Sequence, residues 1–294
     1  MSAIARKWND YRQLMKLNLS LLVVASSVVG YIIVPLQPEG VRPINVINTL
    51  LLFLGGFLVT AAANASNEIL ERDTDALMRR TIDRPLPGNR MTVREAIVFS
   101  AISLIAGLLI LWQFNAKTFL LALLCYSLYV FVYTPLKRVS PIAVLIGAIP
   151  GSLPCVIGWV AATDHLGSLA AWTLFIIQFF WQFPHFWAIA WLGHDDYEKA
   201  GLKMLPRAGK VGFYTASQTV VYSAVLIPLS VLPMEAGLGG WISFAGLFVG
   251  ACWMLYHAIR FLKETTDERA RQVMFASFVY LPLVLISLLI DRFF

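Results

Sequence analysis

Residues 46–66 read Val46-Ile-Asn-Thr-Leu-Leu-Leu-Phe-Leu-Gly-Gly-Phe-Leu-Val-Thr-Ala-Ala-Ala-Asn-Ala-Ser66, a run without a single charge. As a helix it is about 30 Å long, the thickness of the hydrocarbon core of a bilayer. The chain continues directly into Asn67-Glu68-Ile69-Leu70-Glu71-Arg72-Asp73-Thr74-Asp75. A membrane-spanning helix therefore runs straight into a cluster of carboxylates. Comparable apolar stretches recur at 17–34, 94–113, 118–133, 141–161, 168–191, 213–232, 241–261 and 273–290. Together they predict an all-α, polytopic membrane protein: a single domain over 1–294, with nine transmembrane helices around a central cavity.

Composition excludes the main alternative. Of 294 residues, 59% are apolar and 14% charged, whereas a soluble domain carries about 25% charged residues. The three cysteines, Cys125, Cys155 and Cys252, lie within apolar runs and form neither a disulfide framework nor a paired metal motif. With the N-terminus in the cytoplasm, 20 of the 23 Lys and Arg residues fall inside, leaving Arg42, Lys117 and Arg292 outside. That asymmetry fits nine spans and would be scrambled by one more or one fewer in the middle. The net charge of +6 is accounted for by loops facing anionic lipid, with no nucleic acid partner required. The first span is too long for a cleavable signal and its flank too short for a transit peptide, so a bacterial plasma (inner) membrane is expected.

Acidic residues concentrate in two cytoplasmic loops, one beginning at Asn67 and one at His194-Asp195-Asp196-Tyr197-Glu198-Lys199. They lie four spans apart, which predicts two halves, about 17–133 and 141–261, with a final helix at 273–290. In the first loop Asn67, Glu71 and Asp75 recur every fourth residue and share one helical face. Like charges at that spacing repel, and a divalent cation would relieve the repulsion: Mg²⁺ takes one or two carboxylates and leaves its other positions to water and phosphate. Asp73 adds a further carboxylate, and Arg79, Arg80 and Arg84 follow, placing an anion site beside a cation site. The simpler alternative is a solvated acidic turn with Glu68–Arg72 and Asp75–Arg79 pairs at helical spacing. In the second loop Asp195 and Asp196 offer hard oxygen ligands, and Lys199 and Lys203 suit phosphate. His185, inside an apolar span, is expected to face the bundle interior, about two turns from Asp195.

At these residues the chain resembles the intramembrane prenyltransferase superfamily typified by 4-hydroxybenzoate polyprenyltransferase. Its pattern Asn-x-x-x-Asp-x-x-x-Asp, then Met-x-Arg-Thr-x-x-Arg-Pro-Leu, corresponds to Asn67–Asp75 and Met78–Leu86, with Glu71 at the middle Asp and Arg79-Arg80 before Thr81. Three further segments resemble the branch that farnesylates protohaem IX: Tyr133-Thr-Pro-Leu-Lys137-Arg138 with Gly147 to Trp159, Phe183-Pro-His185-Phe-Trp187, and Asp195-Asp196-Tyr197 to Pro206. The superfamily's second Asp-x-x-x-Asp is absent, because Lys199 stands at its last position.

The resemblance implies Mg²⁺ on Asn67, Glu71, Asp73 and Asp75, joined by Asp195 or Asp196. It implies diphosphate contacts from Arg79, Arg80, Arg84, Lys137, Arg138, Lys199 and Lys203, with Tyr133 stabilising an allylic cation through its ring and His185 contacting haem. The implied reaction joins farnesyl diphosphate to a vinyl group of protohaem IX with addition of water, giving haem O and diphosphate for terminal oxidase assembly. Haem-modifying enzymes or oxidase assembly factors are the implied partners. Prenylation of 4-hydroxybenzoate, a quinone precursor or chlorophyllide is the alternative within the superfamily. A cation-coupled transporter is the alternative outside it, opposed by carboxylates at span ends rather than at the bilayer midplane.

The topology predicts that cysteines introduced into 67–94 and 193–212 react with a membrane-impermeant thiol reagent only from the cytoplasmic side; exclusive labelling from the opposite side would contradict it.

Overall fold

A computed structural model describes residues 3–35, 44–206 and 212–294. The described residues are helical, without strands. Their helices in chain order are α1 (Ala3–Leu14), α2 (Leu17–Ile32), α3 (Val46–Asp75), α4 (Val93–Trp112), α5 (Ala116–Ser127), α6 (Thr134–Leu136), α7 (Ala143–Thr163), α8 (Leu169–Leu192), α9 (His194–Lys199), α10 (Gly212–Leu229), α11 (Leu232–Glu235), α12 (Trp241–Lys263) and α13 (Asp267–Phe293). A π-helical segment, Leu128–Tyr133, joins α5 to α6. Arg42, Arg207 and Lys210, which enter the charge asymmetry, lie outside the described residues.

Seven of the expected spans coincide with segments long and apolar enough to cross a membrane. The segment at 17–34 reaches that length only with α1, from which α2 is bent by 50°. The segment at 168–191 is a 24-residue helix. Gln178, Gln182, Pro184 and His185 lower its hydropathy, and its polar groups are turned into the bundle: Gln182 donates to the Ala148 carbonyl and to Ser152 Oγ of α7.

Local chemistry sets the helix ends. Asn45, Thr92, Asn115, Ser168 and Thr266 each accept a hydrogen bond from the backbone N–H three residues on, satisfying a donor that a helix start leaves free. Inside α7, Pro154 has no N–H for the Pro150 carbonyl, and Cys125 Sγ donates to that oxygen instead at 3.2 Å.

The bundle is organised around α7, most of which is buried, whereas α3 and α4 turn much of their surface outward. It packs on α2, α5 and α8; α3 packs on α4 and α2, while α13 packs on α12 and α8 and touches α2. The α2–α7 crossing is close because it is built on glycine. A Cβ on Gly158 would run into the Ser27 carbonyl, and one on Gly30 into the Cys155 carbonyl. Where lipid already solvates apolar surface, such close backbone approach is a principal source of helix association. Gly158→Val should therefore destabilise the bundle by about 1–3 kcal/mol, the usual cost of overpacking, read as a lowered Tm in detergent. An unchanged Tm would show that the crossing is not tightly packed.

Candidate active site

Helix α3 does not stop where its apolar run stops. It continues to Asp75 and carries Asn67, Glu71 and Asp75 on one buried face, at 1%, 5% and 1% exposure. Each is held by a cation from outside α3. Lys16 Nζ donates to Asn67 Oδ1 at 2.7 Å. Lys137 Nζ pairs with Glu71 Oε1 at 2.6 Å, and Arg84 Nη1 pairs with Asp75 Oδ2 at 2.6 Å. Asn67 Nδ2 donates in turn to Glu71 Oε2 at 2.8 Å and to Thr134 Oγ1 at 3.1 Å. Three acceptors thus face three cations.

The scaffold explains how the cations arrive. Glu68, fully buried, accepts from Leu86 N at 3.2 Å, and Thr81 Oγ1 donates to the Asp75 carbonyl at 2.8 Å. These bonds fold the loop after α3 back on itself and bring Arg84 over Asp75. On the other side the π-helical turn shifts the register ahead of α6; such turns are frequent at functional sites. Thr134 then faces Asn67, and Lys137 faces Glu71. The Lys137 ammonium also lies 4.8 Å from the Tyr133 ring centroid, and that ring fills the notch left by Gly147. Tyr133 therefore already receives a cation, one belonging to the protein.

The remaining expected residues distribute differently. Asp73 is on the opposite face of α3, its side chain 83% exposed and paired with Arg72; neither the Glu68–Arg72 nor the Asp75–Arg79 pairing forms. Arg79, Arg138, Lys199 and Lys203 are exposed, Arg138 reaching the Leu70 carbonyl at 3.3 Å. Arg80 donates to Tyr197 Oη at 3.0 Å, and Lys203 N donates to the Lys137 carbonyl at 2.7 Å. The first of these bonds draws the two acidic loops together, and the second ties the loop after α9 to the segment that carries Lys137. Asp195 is exposed and Asp196 half-buried on α9, a helix separated from α8 at Gly193, so Asp195 is not on the same helix as His185. His185 lies in the seam between α8 and α13: its Nδ1 bonds to Ser277 Oγ at 2.8 Å, and its ring packs on Trp181 and Phe278. Lys16 and Thr134 are the site residues the sequence spacing missed. Lys16 is 51 residues from its partner, and no local pattern marks it.

Among the described residues, no three His, Cys, Asp or Glu side chains converge as a metal cage. The α3 face nevertheless fits a hard cation. Asp75 Oδ1 is buried without a hydrogen-bond partner, a costly state for a carboxylate oxygen, and it belongs to a face whose other acceptors are also oxygens. Few protein ligands is the usual state of Mg²⁺, which keeps positions for water and phosphate. Lys16, Arg84 and Lys137 stand around the same face, each bonded to one of its three acceptors.

A membrane-embedded helical bundle with oxygen ligands and matched cations at a span end defines a class of enzyme that handles polyanionic substrates carrying an apolar chain. The UbiA prenyltransferase family matches residues 23–279, and the chain belongs to that family. A relative from Christiangramia forsetii named protoheme IX farnesyltransferase is 42% identical over 97% of this chain and 94% of its own length. Among solved structures, one of a digeranylgeranylglyceryl phosphate synthase has a TM-score of 0.78 at 22% identity, covering 98% of this chain and 99% of that one. A UbiA homolog from Archaeoglobus fulgidus bound to DMAPP and Mg²⁺ has a TM-score of 0.64 at 16% identity, over 94% of this chain and 99% of its own. The protein is a multi-pass membrane prenyltransferase.

Removing one member of a buried pair should be worse than removing both charges. Lys137→Met leaves Glu71 uncompensated, at a cost of about 3–5 kcal/mol, and adding Glu71→Gln should recover most of it. Thermal unfolding in detergent checks this; a double variant no more stable than Lys137→Met would contradict the pairing.

Proposed function

We propose that the protein transfers a farnesyl group from farnesyl diphosphate to a vinyl group of protohaem IX, with addition of water, giving haem O and diphosphate for terminal oxidase assembly. The observation that carries this reading is the face of Asn67, Glu71 and Asp75 opposed by Arg84 and Lys137 at the end of an apolar bundle. The acceptor and chain length rest on the name of the relative that covers nearly the whole chain.

Asn67, Glu71 and Asp75 would hold Mg²⁺, which would neutralise charge on the diphosphate. That assignment draws support from the Archaeoglobus fulgidus homolog bound to DMAPP and Mg²⁺. Arg84 and Lys137 reach the same place and take negative charge as the allylic C–O bond breaks and the diphosphate leaves with the electron pair. Arg80, tied to Tyr197, stands with Arg79, Arg138, Lys199 and Lys203 around the mouth, and Asp195 and Asp196 cap it from α9. The bundle interior keeps water from the farnesyl cation until carbon–carbon bonding is complete. The terminal vinyl carbon attacks the cation, and water then adds to the carbon next to the porphyrin and loses a proton. We assign His185 to the porphyrin, since its bond to Ser277 uses only Nδ1. Nine spans, one domain of two halves, and a mouth on the cytoplasmic side of a bacterial inner membrane complete the proposal.

Purified protein given protohaem, farnesyl diphosphate and Mg²⁺ should yield haem bearing one hydroxyethylfarnesyl group by mass. Asp75→Asn should lower turnover by at least about a hundredfold, the usual effect of removing one electrostatic element of this kind. Prenylation of a quinone precursor with no reaction on haem would overturn the acceptor assignment.

A further inference from the structure

Lys16 occupies a backbone conformation that its side chain does not favour. Between α1 and α2 it has φ 47° and ψ 56°, the left-handed region, where a residue with a Cβ is strained and glycine or asparagine is at ease. The break is pinned from both sides. Ser20 Oγ donates to the Met15 carbonyl at 2.6 Å, and Asn64 Nδ2 donates to the same carbonyl at 3.2 Å and to Ser20 Oγ at 3.0 Å. Asn64 and Asn67 belong to the same stretch of α3, so one helix both fixes the break and receives the side chain it delivers.

What Lys16 reaches is equally unusual. Its ammonium has three N–H donors and, among the described residues, one acceptor, the neutral amide oxygen of Asn67. The two carboxylates on that face are taken by other cations, Glu71 by Lys137 and Asp75 by Arg84. A cation with no carboxylate of its own, placed near two further cations, raises the energy of the cluster. An arriving polyanion lowers it. The break also borders a groove of about 300 Å³ lined by Asn9, Arg12 and Gln13 as well as Lys16. Backbone strain of this kind clusters where a side chain is held for use.

Resting on the prenyl-diphosphate reading above, we propose that Lys16 is a third anion-binding residue of the site, contributing with Arg84 and Lys137 to the grip on the substrate's diphosphate. It moves from Asn67 Oδ1 to a phosphate oxygen when the site is loaded, leaving Asn67 Oδ1 available as a metal ligand. A residue that merely supported the helix break would lack this second role.

The two roles separate by experiment. Lys16→Asn and Lys16→Gly remove the charge while suiting the left-handed backbone, and Lys16→Arg keeps the charge. The full-length variants in detergent are titrated with inorganic pyrophosphate in the presence of Mg²⁺, and their unfolding is followed without ligands. Expected are a pyrophosphate Kd at least tenfold weaker for Lys16→Asn and Lys16→Gly, an affinity near wild type for Lys16→Arg, and a Tm unchanged or raised for the two neutral variants. Wild-type affinity in the neutral variants would overturn the assignment of Lys16 alone. A lowered Tm with unchanged affinity would overturn it in favour of a structural role. A wild-type protein that does not bind pyrophosphate at all would overturn the underlying diphosphate reading together with it.

Discussion

Two carboxylates, Glu71 and Asp75, are buried on the last turns of α3, where a membrane bundle meets its aqueous face. Burying an ionised carboxylate costs several kcal/mol unless it is paired and hydrogen-bonded. The surrounding architecture serves that requirement. The loop after α3 delivers Arg84 to Asp75 and the π-helical turn before α6 delivers Lys137 to Glu71, while the α1–α2 break brings Lys16, and the same turn Thr134, to the neighbouring Asn67. Three separate stretches of chain converge on one face of one helix. The convergence does not saturate it, since Asp75 Oδ1 has no hydrogen-bond partner among the described residues.

Such an arrangement sets three cations against two carboxylates and a neutral amide at rest, and is ready for exchange. Every oxygen that a metal would take lies in a group bonded to a cation, and every one of those cations could instead bind phosphate. A metal diphosphate can therefore enter by swapping partners, without stranding a charge in the bundle. The glycines that let α2 and α7 touch, Gly30 and Gly158, and the notch at Gly147 that seats the Tyr133 ring, hold the walls against which this exchange would take place.

The sequence shows clearly what depends on local periodicity. The i, i+4, i+8 spacing of Asn67, Glu71 and Asp75 places them on one face, and that face exists. Uncharged runs of bilayer length mark most of the helices. What depends on tertiary contact is hidden. Lys16 lies in a helix break whose left-handed conformation no neighbouring Gly or Asn signals. The pairing of Asp75 with Arg84 rather than Arg79 follows from the turn after α3, which Glu68 and Thr81 pin. Asp73 is equally acidic in the sequence, yet half a helical turn from Glu71 and Asp75 it meets solvent. His185 reads as a residue of the bundle interior; its partner, Ser277, lies 92 residues away on α13.

The central claim is that the buried face of α3 is a metal site. Mn²⁺, which substitutes for Mg²⁺ and scatters anomalously, tests it directly in crystals grown with a non-hydrolysable farnesyl diphosphate analogue. The account predicts an anomalous peak within about 2–2.5 Å of oxygens of Asn67, Glu71 and Asp75, the range of oxygen coordination by hard divalent cations. It also predicts that the analogue's diphosphate lies against Lys16, Arg84 and Lys137. A peak on Asp195 and Asp196 alone, with Lys137 still on Glu71 and Arg84 still on Asp75, would contradict it.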